Sequence, residues 1–188
     1  MIRYLKEREE LEEITISKLR EIGIRNSDYP LNSIEIAEKL GLVVRRQQFI
    51  EASICAMLVL GTENTGIIYN SNRTKASQNM SVMHELFHYW HHPKKNYVCS
   101  NKLNAYGWKE WQANNGAAIC MMPTQMVIDK YHEYDGYYKD LKKCFNVSSE
   151  ALKYRLESLG LEVKMQKQYN KNIYVRHIQI SNTFKHSS

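Results

Sequence analysis

The first 22 residues set Leu5, Leu11, Ile14, Leu19 and Ile22 among dense mixed charges. That spacing predicts an amphipathic surface helix over residues 2–22, stopped by Gly23. Tyr29-Pro30 breaks the chain. Asn32 or Ser33 then stands where an N-cap belongs, and a second helix through Leu40 follows, with Ile34, Ile36, Ala37 and Leu40 on one side and Gly41 at its end.

The rhythm then changes to runs rich in β-branched and other apolar residues: Leu42-Val-Val-Arg-Arg-Gln-Gln-Phe-Ile, Ile54-Cys-Ala-Met-Leu-Val-Leu and Gly66-Ile-Ile-Tyr. The last two flank the turn-like Gly61-Thr-Glu-Asn-Thr-Gly66, so a small antiparallel sheet is expected. Helical periodicity resumes from Lys75 through His92, stopped by Pro93, and again from Trp108 to Met122, stopped by Pro123. Beyond these, Tyr137–Cys144 and Ser148–Leu159 read as two short helices joined at Phe145-Asn-Val and closed by Gly160. Ile173 to Ile180 alternates partly, as a late strand would, and Lys185 to Ser188 is expected to fray. The whole is an α+β pattern without internal repeats.

The helix from Lys75 carries His84-Glu-Leu-Phe-His88. A four-residue step separates the two imidazoles by about 40° around the axis and ~6 Å along it, so both can meet one metal ion with Glu85 beside them. Met83, Leu86, Phe87 and Trp90 follow the i, i+3, i+4, i+7 spacing of a buried stripe, which would hold the motif rigid. A bare motif of this length arises by chance in many proteins, so a third ligand is needed. The extended metzincin pattern would want a glycine and a histidine three and six residues after His88, where this chain has His91 and Lys94, and is excluded. A gluzincin takes a carboxylate from a second helix. Glu110-Trp-Gln-Ala-Asn114 supplies one, with Glu110 and Asn114 on one face so that one can bind metal while the other orients a histidine. Trp108, Trp111, Ala117, Ala118 and Met121 offer the apolar surface to seat that helix. His92 shares a side with His88 and reads as a helix-end histidine.

Composition narrows the setting. With 43% hydrophobic and 24% charged residues and 13 Tyr, the 188 residues are ordinary globular material for one core. The charged N-terminus lacks a secretory apolar run and no stretch reaches the ~18 apolar residues of a membrane span, so a soluble cytoplasmic protein is expected. Cys55, Cys99, Cys120 and Cys144 form no Cys-x-x-Cys pair, which suggests reduced, mostly buried thiols. Of the net charge of +6, residues 161–188 hold +4, from five Lys/Arg and one acid. This basic tail reads as a solvated face. Lys142, Lys143, Lys153 and Arg155 give Lys139–Gly160 the look of a helix-turn-helix, but Glu150 and Glu157 dilute the charge, and a structural helical role leads over DNA binding.

The chain resembles the ImmA/IrrE family of metallopeptidases. The resemblance rests on Met83-His-Glu-Leu-Phe-His88 followed by His92, and on Glu110-Trp-Gln-Ala-Asn-Asn-Gly-Ala-Ala-Ile-Cys-Met-Met-Pro123. Weaker similarity brings the covered part to residues 25–162. One departure is Gly116, where the family usually has Phe, which bears on how the Glu110 helix packs. The resemblance implies a small gluzincin-like domain with His84, His88 and Glu110 as ligands of zinc, manganese or iron being alternatives, and Glu85 as catalytic base. It also implies a protein substrate, a helix-turn-helix repressor of a phage, mobile element or stress response. Alternatives are a metal-binding regulator without proteolysis and a toxin–antitoxin component. Three parts are expected: a zincin-like domain over 1–136, a helix-turn-helix-like segment over 137–162 and the tail over 163–188. The Gly66-Ile-Ile-Tyr strand is expected to offer its edge to substrate. Tyr106, Tyr131, His132 and Tyr134 are candidates for stabilising an oxyanion.

Overall fold

The computed structural model describes residues 2–92, 96–100 and 107–164, and of residues 2–6, 99 and 100 the backbone alone. The expected strand over 173–180, the fraying end, most of the basic tail and Tyr106 lie outside the described residues. Among those described, the order is α1 (Ile2–Glu21), α2 (Ser33–Lys39), β1 (Val43–Gln47), β2 (Ile54–Leu60), β3 (Thr65–Asn70), α3 (Lys75–His91), β4 (Tyr97–Ser100), α4 (Trp108–Met121), α5 (Thr124–Glu133), α6 (Tyr138–Phe145) and α7 (Ser149–Ser158). The class is α+β, as the sequence pattern predicts.

The sheet order is β1-β3-β2-β4, with β1 parallel to β3 and the other pairs antiparallel. It is therefore mixed rather than wholly antiparallel. The β2–β3 hairpin inserts β3 between β1 and β2. β3 can take the middle because it is apolar, with Ile67 fully buried, whereas β1 carries Arg45, Arg46 and Gln47 at the surface and suits an edge. The expectation that Gly66–Tyr69 offers an edge to substrate is thereby overturned: β3 is paired on both sides, and among the described residues the edges are β1 and β4.

α3 packs on this sheet and against α2 and α4. Its start is fixed by Thr74, whose hydroxyl accepts from Ser77 N–H, and α2 is capped by Asn32, as expected. Buried Asn79 ties the two helices: its Oδ1 accepts from Ser33 N–H at 2.7 Å and its Nδ2 donates to Leu31 O at 2.8 Å. Unpaired, such an amide would be costly to bury; with these bonds it sets the entry of α3. On α1 the buried face is Leu11, Thr15 and Leu19, one helical turn apart, while Ile14, expected on that face, is 45% exposed.

One buried cluster runs from Leu19 and Ile36 through Leu58, Ile67, Val82, Met83 and Leu86 to Leu141, Phe145, Leu152 and Leu156. A smaller one gathers Leu11, Phe87, Ala113 and Ile119 between α1, α3 and α4. A Cβ on Gly116 would stand 2.0 Å from Phe87 Cε2, so the Phe87 ring fills the space a side chain at 116 would need. α4 is seated by Ala113, Ala117, Ala118, Ile119 and Met121. Trp108, by contrast, is 49% exposed and stacks on Trp111 at 4.7 Å.

α6 and α7 fall close to the expected helices, with Asn146 in the left-handed conformation ending α6. Arg155 is buried: Nε donates to Met122 O at 2.9 Å and Nη2 to Thr124 Oγ1 at 2.7 Å, with Glu12 at 3.6 Å. It is thus unavailable to a phosphate, and Lys142 donates to Ser149 Oγ at 2.7 Å. Cys55 and Cys120 are buried and Cys144 partly so. Among the described residues no helix is long and apolar enough to cross a membrane.

Candidate metal centre

His84 and His88 project from one face of α3, and Glu110 from the first turn of α4 meets them. His84 Nε2 lies 3.2 Å from Glu110 Oε2, His88 Nε2 lies 3.3 Å from Oε1, and the two Nε2 atoms are 3.0 Å apart. The donor atoms of the three residues all fall within 4.8 Å of one another. Bonds of ~2.0–2.2 Å arranged tetrahedrally have donor–donor edges of about 3.3 Å, so two imidazoles and a carboxylate at these separations fit a divalent ion. This group could hold a metal.

Both histidines are buried, and Glu85 between them is fully enclosed. Burial holds His88 below the ordinary imidazole range, which keeps its nitrogen lone pair free at neutral pH. Burial alone would raise the Glu110 carboxyl, but its contacts with the His84 and His88 rings outweigh it and bring the pKa down to about 2. The carboxylate is therefore ionised and ready to bind a cation.

Around this group the structure differs from expectation in three ways. His92 is no isolated helix-end residue: though it caps α3, it is buried, its Nδ1 lies 3.0 Å from His88 Nδ1, and its Nε2 lies 3.0 Å from Gln112 Oε1. Asn114, expected as a partner for a histidine, is exposed, and Gln112 instead turns to the histidine side of α4. Tyr97 of β4 stacks on His88 with ring centroids 3.9 Å apart and planes 16° apart, a contact no sequence spacing announces. The His88–His92 step of four residues was the one legible signal among these.

Of the oxyanion candidates, Tyr131 donates its hydroxyl to Glu162 O at 2.5 Å and His132 is exposed. Tyr134 lies under Lys130 Nζ, 5.7 Å from its ring centre. None of these contacts is with His84 or His88, whereas the Tyr97 ring stacks on His88.

No curated protein sequence matches the chain significantly. A solved structure of a Mycobacterium tuberculosis transcriptional regulator is similar with a TM-score of 0.57 at 11% identity, over 85% of this chain and 48% of that one. At that identity the likeness concerns the fold, and this chain spans about half the length of the regulator. A peptidase family model described as the IrrE N-terminal-like domain matches residues 37–157, a stretch that contains β1 to β4, the two histidines, Glu85 and Glu110. With most of its length matched, including both helices of the site, the chain belongs to the peptidase family of IrrE N-terminal-like domains.

Proposed function

We propose that the protein is a zinc-dependent endopeptidase that cuts a protein substrate, a DNA-binding repressor of helix-turn-helix type, in the cytoplasm. The observation that carries this reading is the meeting of both histidine Nε2 atoms with both Glu110 oxygens, on a helix where the residue after His84 is a fully buried Glu85. His84, His88 and Glu110 would hold the ion, and manganese or iron can use the same donor types. When bound, the ion supplies Lewis acidity that polarises a carbonyl and lowers the pKa of water to about 7. Three protein donors leave a position open for that chemistry.

Glu85 is the proton carrier: its carboxylate takes a proton from the attacking water and returns it to the departing amine. Burying a carboxylate is costly, and a purely structural helix would be better served by an apolar side chain at that position. Among the described residues β4 has no partner strand on its side away from β2, and its backbone groups there would pair with an extended peptide added as a further strand. Because Tyr97 of that strand touches His88, such a peptide would run past the histidine pair. The repressor as substrate rests on the family resemblance. The regulator of similar fold is compatible with a transcriptional setting but is too distant to argue for it.

The test mixes purified protein with helix-turn-helix repressors from its gene neighbourhood and follows each repressor by mass spectrometry. Wild type should make one specific cut. Glu85→Gln should keep the metal and the fold yet cut at least ~10²–10⁴-fold more slowly. His84→Ala, His88→Ala and Glu110→Ala should lose metal as well as activity. Release of the repressor from DNA without a cut, equally by wild type and Glu85→Gln, would replace the peptidase with a binding regulator.

A further inference from the structure

We propose that His92 and Gln112 are positioning residues: a hydrogen-bonded chain from Gln112 through His92 to Nδ1 of His88 holds the His88 ring with a bare Nε2 facing the metal site. The proposal rests on the metal-centre reading above.

A neutral imidazole has one N–H and one lone pair. With the Gln112 Oε1 atom 3.0 Å from His92 Nε2, that nitrogen must donate, because a carbonyl oxygen only accepts. Neutral His92 is then left with a lone pair at Nδ1. Its neighbour, His88 Nδ1 at 3.0 Å, must carry the N–H of that contact. His88 in turn has its lone pair at Nε2, the atom beside His84 Nε2 and Glu110. The amide of α4 thus dictates, two hydrogen bonds away, which nitrogen of His88 is free.

The opposite polarity would put a hydrogen on His88 Nε2, pointed at Glu110 Oε1 3.3 Å away, and would bar a cation from the nitrogen. An amide can present either its oxygen or its NH₂, so the orientation of Gln112 decides between the two. The ring plane is held separately. Tyr97 stacks on one face of His88 at 3.9 Å, leaving the in-plane contact to His92 as the constraint on rotation within that plane. A mere helix cap would need only the His92 backbone, whose N–H donates to His88 O. Instead both ring nitrogens are engaged, and the second partner comes from a different helix.

Three variants test the chain. His92→Phe keeps an aromatic ring but accepts nothing, Gln112→Met keeps the length without an acceptor, and Gln112→Glu keeps the acceptor. Zinc affinity is measured by competition with a chromophoric chelator, and site geometry by the visible spectrum of the cobalt-substituted protein. Removing such a supporting partner typically weakens metal binding by about 10–100-fold, so His92→Phe should fall in that range and Gln112→Met near tenfold, both with altered cobalt bands. Gln112→Glu should bind as wild type or more tightly, and metal-free Gln112→Met should melt as wild type does. Wild-type zinc affinity and cobalt spectrum in Gln112→Met would overturn the proposal, as would Gln112→Glu falling as far as Gln112→Met. If His92→Phe does not fold, the partly exposed Gln112 pair decides alone. Wild type binding neither zinc nor cobalt would overturn the metal centre and this proposal with it; wild type binding both while Gln112→Met matches it would overturn this proposal only.

Discussion

Substituting Gly116 by Ala puts one methyl group into the tightest point between α3 and α4. The added carbon would lie 2.0, 2.2 and 2.6 Å from Cε2, Cδ2 and Cζ of Phe87. Ordinary carbon–carbon contact is ~3.5–4.0 Å, so the ring or the helix must retreat by roughly 1.5 Å. Phe87 is fully buried and packs with Leu11, Ala113 and Ile119, so it can move only by shifting α1 or α4. Overpacking of this kind costs about 1–3 kcal/mol, and the better helix propensity of Ala offsets about 1 kcal/mol. The net loss should be up to about 2 kcal/mol, or up to about 8 °C in Tm for a chain of this size. In a Phe87→Ala background the clash is gone and the propensity remains, so the same substitution should now stabilise by up to about 1 kcal/mol. Urea unfolding of the four proteins, with a chelator present so that metal binding does not move the midpoints, measures the cycle. An equal loss in both backgrounds would refute the steric reasoning.

Arg155→Met should destabilise by about 2–3 kcal/mol in the same assay, because it strands the Met122 carbonyl and removes the bonds to Thr124 and Glu12; a change under about 0.5 kcal/mol would show that the guanidinium holds nothing together. The metal-free protein should lose stability on acidification. His88, His91 and His92 are all held below the usual imidazole value by burial, so their contribution is present above about pH 6.5 and is lost as pH falls below it, while that of Glu110 is lost below about 4.5 towards its folded value of about 2. A urea midpoint at pH 5 equal to or above that at pH 7.5 would contradict this sign.

What the sequence disclosed was local. Helix spacing brings His84 and His88 together whatever surrounds them, and Asn32, Gly41 and Pro123 punctuate the chain through their own backbone preferences. Pairing between distant segments was not legible in the same way. β3 intrudes between β1 and β2 because of the burial each strand can tolerate, a comparison that no single strand contains. α5 carries no comparable signal in the sequence: Pro123 marks the end of one helix as readily as the start of the next, and Val127 is the one buried residue of the helix that follows. The i+4 rule points to Asn114 rather than Gln112 because it describes neighbours on one helix, whereas reaching His92 depends on how α4 crosses α3. Tyr97 lies on a four-residue strand whose apolar signal is too short to stand out.

The ends of the described fold hold each other. Arg8 on α1 donates to the Ser158 carbonyl at the close of α7 across 150 residues of chain, and Glu12 on α1 meets Arg155 on α7. Along a growing chain α1 precedes its partners, so Leu11 waits for α3 and α4, and Arg8 for α7, before these contacts can form. Contacts of such long sequence separation also slow folding after release, because a large loop must close before they reward it. Synthesis halted before α7 would leave the α1 groups that meet Ser158 and Arg155 without those partners, so a chain stopped there should be more open to degradation than one that carries α7.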